Sequence, residues 1–169
     1  MMKIHTVMTA GLLILAACGP DAEPETTVDW AVFDAQQAAP QGTAASVDAG
    51  DLGSILNARR AENGLAALAA SPKLAAAAQV HAQDMAAQGY FSHISPGGSK
   101  PSDRVRAQGY QFCFVAENIA QGQPTAARVM ESWMASAGHR RNNLNKKATE
   151  YGVGRAAGNN WVLVLATPC

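Results

Sequence analysis

Trp161-Val162-Leu163-Val164-Leu165 sets five apolar residues in a row behind the turn-forming group Gly158-Asn159-Asn160. A strand of this kind keeps no polar side for water, so both of its faces need cover. Tyr151-Gly152-Val153-Gly154 leads a second strand into that turn. Phe112 to Ala120, rich in aromatic and β-branched residues, supplies a third. The rest of the cover has to come from segments with helical spacing.

Those segments lie upstream of and between the strands. Leu52, Ile55, Leu56 and Arg59 predict a helix over 52–62, stopped at Asn63-Gly64. Leu65 and Leu68 follow as apolar pegs in an extended connection. Ser71-Pro72 opens a second helix, because serine caps well and proline is tolerated in the first turn. Leu74, Ala78, His81 and Met85 form its stripe, Gly89 ends it, and its many alanines permit close approach to a neighbouring layer. Tyr90 to Gly98 is a loop carrying His93. Pro101-Ser102-Asp103 begins a short helix to about Gln108. Gly122 and Pro124 turn the chain into a third long helix that buries Ala126, Val129, Met130, Trp133 and Met134. Ser136-Ala137-Gly138 breaks that helix, and His139 starts a short turn or helix ending near Leu144. Helices before and between a few antiparallel strands make an α+β fold, with helices on both sides of a small sheet.

The N-terminus reads as an address. Lys3 and His5 precede an apolar run, Val7 to Ala17, that is too short to span a bilayer and fits the core of a signal peptide. Leu15-Ala16-Ala17-Cys18 resembles a bacterial lipobox. That resemblance implies cleavage before Cys18, acylation of its thiol and amine, and anchoring in a lipid bilayer; the alternative is an ordinary secretory signal. Gly19 rather than Asp after the cysteine points, by the same resemblance, to the outer membrane of the bacterial cell envelope. Residues 1–17 are thus expected to be a signal peptide, 18–50 a tether poor in buryable side chains, and 51–169 one domain. Cys113 and Cys169 remain as an even pair in an exported chain, and a disulfide between them is expected; free thiols are the alternative. Thirteen basic and thirteen acidic side chains leave zero net charge, and the clustered Lys and Arg of a nucleic-acid footprint are missing.

Three segments carry candidate chemistry: Phe91-Ser92-His93, Ala116-Glu117-Asn118-Ile119-Ala120, and Trp133-Met134-Ala135-Ser136-Ala137-Gly138-His139-Arg140-Arg141-Asn142. Together with Leu56-Asn57-Ala58-Arg59-Arg60, Arg104, Gly109-Tyr110 and Gly152-Val153-Gly154, they resemble, in order, the motifs of the CAP superfamily in its bacterial SCP-like lipoprotein branch. The resemblance implies an α–β–α sandwich with a small antiparallel sheet between helical layers. It also implies a cavity lined by His93, Glu117 and His139. The family's fourth cavity acid falls near Ser136 here, a departure shared with the bacterial pattern.

Two imidazoles and a carboxylate match the ligand set of an open zinc site, so zinc or another divalent cation on His93, His139 and Glu117 is one expectation. Proton transfer through the same residues is another. Ser136 and Asn118 are expected to contact ligand. A Ser136–His139 nucleophile pair and a purely structural network of His, Glu and Asn are the competing readings of the same residues. His81, on an apolar stripe, reads as a core histidine. Three functions stand at this point: a binding module for an envelope lipid, peptide or glycan, a peptide or ester hydrolase, and a structural envelope protein.

Overall fold

The computed structural model describes residues 43–169, with side chains from Asp51 onward. The expected signal peptide, the Cys18 anchor and most of the tether lie outside the described residues. Helix α1 runs Thr43–Glu62, β1 is Ala69–Ala70, α2 is Pro72–Gln88, α3 is Pro101–Ala107 and β2 is Phe112–Gln121. Helix α4 follows at Ala126–Ala135, α5 at Ala137–Asn143, β3 at Glu150–Ala156 and β4 at Asn160–Pro168, entered through a single turn at Ala157–Asn159. Two boundaries depart from the expectation. Helix α1 begins within the stretch read as tether, because an alanine-rich segment extends a packed helix at little cost. The break between α4 and α5 is Ser136 alone, in extended conformation, with Gly138 inside α5.

The sheet order is β1-β3-β4-β2. Strand β4 is central and pairs antiparallel with both β3 and β2. The two-residue β1 adds a parallel partner to β3, so the sheet is mixed rather than wholly antiparallel. The five-residue apolar run of β4 sorts by alternation. Trp161, Leu163 and Leu165 join Leu52, Leu56, Val129, Met130 and Trp133 on the α1/α4 side. Val162 and Val164 join Leu74, Ala78, Met85 and Val105 on the α2/α3 side.

Helix α2 lies close against the sheet because both surfaces are small. A β-carbon added at Gly152 would stand 2.1 Å from the backbone of Leu74 and Ala75, and one at Gly154 would stand 2.4 Å from that of Ala78. Alanines at 77, 78 and 82 complete the flat face. Ser71 and Pro72 start α2 as expected, although the serine hydroxyl caps nothing, and Gly89 ends it in left-handed conformation, φ 66°. Cys113 and Cys169 form the disulfide, Cα–Cα 4.9 Å, tying the end of β4 to the start of β2 at a bulge.

Candidate functional site

Glu117 is where the site is organised. Strand alternation turns its side chain toward α2 and α3, where only 1% of it is exposed. A buried carboxylate needs partners, and it has two close ones. Arg104 of α3 donates from NH2 to Oε2 at 2.9 Å, and His93 donates from Nδ1 to Oε1 at 2.8 Å. Arg104 also donates to the carbonyls of Ser99 (2.9 Å) and His93 (3.0 Å), fastening the loop that carries the histidine. With Nδ1 committed to the carboxylate, the neutral His93 ring presents Nε2 as its free lone pair. The side chain is 48% exposed, so that nitrogen is accessible.

His81 backs this arrangement from α2. It is wholly buried; Nε2 donates to the Ser92 carbonyl at 2.9 Å and stands 3.8 Å from Glu117 Oε1. The Tyr90 hydroxyl, which donates to Asp84 Oδ2 at 2.5 Å, stands 3.4 Å from His81 Nδ1. Burial holds the His81 imidazolium below the ordinary histidine range, against the opposing pull of Glu117. The apolar stripe correctly marked His81 as core. It gave no sign that this ring braces the His93 loop, because the partner carbonyl lies outside the helix.

The second imidazole arrives from the other side of the sheet. Asn118, next to Glu117, faces the opposite way, toward α5. Its Nδ2 donates to the His139 carbonyl (3.1 Å) and to Asn143 Oδ1 (2.8 Å), while its Oδ1 accepts from Asn142 (2.9 Å). These bonds hold α5 against β2 and bring His139 beside Trp133, ring centroids 6.3 Å apart. His139 is pushed below the ordinary histidine range, first by burial and then by the neighbouring His93. His139 thus lies within electrostatic reach of His93.

A chelator-treated sample followed by NMR should show His139 titrating below the ordinary value near 6.5, and His93→Ala should move it part of the way back. Both depressed histidines bind protons more readily when unfolded. Stability is therefore complete above about pH 6.5 and declines as pH falls through that range. An acid limb unchanged in a His81→Gln variant would contradict this assignment.

The structure thus joins His93 to Glu117 directly and leaves His139 within electrostatic reach of His93. Asn118, read from the sequence as a ligand contact, is wholly buried and spends its side chain on α5. Ser136 sits between α4 and α5 without capping α5 through its hydroxyl, and no hydrogen bond joins it to His139 among the described residues. Arg104 and His81 are the members that motif reading under-weighted. The open face is a pocket of about 430 Å³ lined by His93, Ile94, Lys100, Pro101, Val115 and Glu117, among others.

Three layers packed around a small mixed sheet define a domain class, and similarity to known proteins identifies it. The model of the CAP family, the cysteine-rich secretory proteins, matches residues 54–166, and the chain belongs to that family, in its bacterial SCP type. Over 100 residues it is 40% identical to an uncharacterized protein of Bacillus subtilis (strain 168), YkwD, covering 59% of this chain and 39% of that one. An extracellular SCP-domain protein of Bacillus anthracis str. Ames is 29% identical, with TM-score 0.70, over 72% of this chain and 40% of that one. An outer surface protein of Borrelia burgdorferi shares the fold at TM-score 0.70 and 20% identity, over 75% of this chain and 97% of that one. The chain spans well under half the length of the two Bacillus proteins.

Proposed function

We propose that this chain is an exported, envelope-tethered binding module whose site is the His93–Glu117–His139 group. The observation that carries the reading is the commitment of both Glu117 oxygens to Arg104 and His93, which leaves Nε2 of the half-exposed His93 ring free, with His139 within electrostatic reach. Among the described residues, no three His, Cys, Asp or Glu side chains are grouped to hold a metal. Glu117 is accordingly assigned an orienting role, not that of the third ligand expected from the sequence. Two imidazoles fit a divalent cation such as zinc, with its remaining positions open to water or to a ligand group. That combination suits capture of a carbonyl, carboxylate or similar donor better than storage of the metal. The tether in this reading is acylated Cys18 in the outer membrane. Export is supported by the Cys113–Cys169 disulfide, a bond that persists in oxidising compartments.

Calorimetric titration of zinc into tag-free, metal-stripped protein tests the site. Saturable binding is expected, abolished by His93→Ala and by His139→Ala, and weakened but retained in Glu117→Gln, since loss of an orienting partner typically lowers affinity roughly 10–100-fold. Isotherms indistinguishable between wild type and both histidine variants would overturn the reading.

A further inference from the structure

We infer that the outer edge of β2, from Val115 to Glu117, is a docking strand for an extended peptide, whose main chain pairs with the sheet beside His93. The inference rests on the binding role proposed above and names the class of ligand. Strand β2 ends the order β1-β3-β4-β2, so only one of its sides is paired within the sheet. Which residues face outward follows from the ladder. Gly122 N–H donates to the Asn159 carbonyl at 3.1 Å, continuing the register in which Gln121 faces Asn160. Antiparallel residues alternate between bonded and non-bonded pairs. Ala120, Asn118 and Ala116 therefore spend their backbone groups on β4, and Ile119, Glu117 and Val115 turn theirs outward.

Two side chains confirm the phase. Trp133 Nε1 donates to the Ile119 carbonyl at 3.1 Å, and Asn142 Nδ2 to the Glu117 carbonyl at 3.3 Å. These two residues close the downstream part of the edge, as proteins commonly do with an exposed strand. The Val115 N–H, the Val115 carbonyl and the Glu117 N–H have no hydrogen-bond partner among the described residues. They border the open pocket, whose lining includes Val115, Ala116 and Glu117 in succession. Consecutive residues of a strand point to opposite faces, so a pocket touching all three runs along the edge rather than over one face.

The chemistry of the edge selects the occupant. Its free groups recur every second residue, the period at which an extended chain offers its own N–H and carbonyl groups. A lipid tail or a glycan has no such alternation. Ile94, 49% exposed, gives the opposite wall an apolar patch for a side chain, and Lys100 stands on the same wall. Glu117 is already paired with Arg104, so the charged side chain that the pocket lining leaves for a ligand is Lys100. The peptide favoured is therefore extended and carries an acidic side chain near Lys100.

A randomised peptide display library panned on the full-length protein should enrich extended sequences with an acidic position. Binding of an enriched peptide should weaken by about tenfold in Val115→Pro, which removes an outward N–H while leaving every bond to β4 in place. N-methylation along the peptide should block binding at alternate residues. That scan uses wild-type protein and decides the matter even if the proline variant misfolds. Three results would overturn the inference: no enrichment over a scrambled background, binding without the two-residue period, or Val115 and Glu117 amides protected from exchange before any peptide is added. Zinc binding without peptide binding would remove the edge inference alone. Peptide binding with the alternating period but no zinc binding would support the edge and remove the cation reading.

Discussion

Glu117→Leu is expected to destabilise the domain by about 3–5 kcal/mol in urea denaturation, the range for stripping one partner from a buried ion pair. The carboxylate is 1% exposed and the Arg104 side chain 7%. Removing the acid leaves a guanidinium committed to the Ser99 and His93 carbonyls but without its counter-charge in a site that water scarcely reaches. Arg104→Met added to Glu117→Leu should restore most of the loss, because an apolar pair of similar volume avoids the desolvation that the ion pair had to offset. The restored fold would still lack the hydrogen bond to His93 Nδ1, so zinc affinity should stay low while stability returns. A single-variant loss below roughly 1 kcal/mol would place the pair among solvated surface bridges and undercut the fixed orientation of His93.

The second large effect belongs to the disulfide. Cys113→Ser with Cys169→Ser should cost about 4 kcal/mol, the chain-entropy value for closing a loop between residues 56 apart. The bridge fastens the last residue of the chain to the start of an edge strand, just where a bulge interrupts the ladder. Without it the N-terminal end of β2 should fray first, which amide exchange at Phe112 and Phe114 would detect. Reduced wild-type protein should match the serine variant. A variant as stable as the oxidised protein would mean that the reduced state is already held by the β2–β4 ladder.

Much of this architecture is legible in the residues. The apolar run of β4, the Ser71-Pro72 start, the glycine stop at 89 and the amphipathic spacing of α4 are local signals, and each element formed where they put it. The cysteine pairing followed from a count. Strand β1 was invisible because Ala69-Ala70 has no strand preference of its own; it pairs with β3 next to the buried Leu68. The site was legible only as three motifs. That His93 and Glu117 touch depends on a contact across 24 residues, and that Arg104 pins both depends on a helix packing no local period encodes. Asn118 bonds to α5 because strand alternation, which sends it to the far face from Glu117, matters more there than adjacency in sequence.

The central position of the last strand carries a further consequence. Strands β2 and β3 never touch; each reaches the other only through Asn160–Pro168. A polypeptide that has yet to release this segment can lay α2 against β3 but cannot join β2 to the sheet. Closure of the sheet is therefore expected to wait for this strand, whichever of its neighbours has already formed.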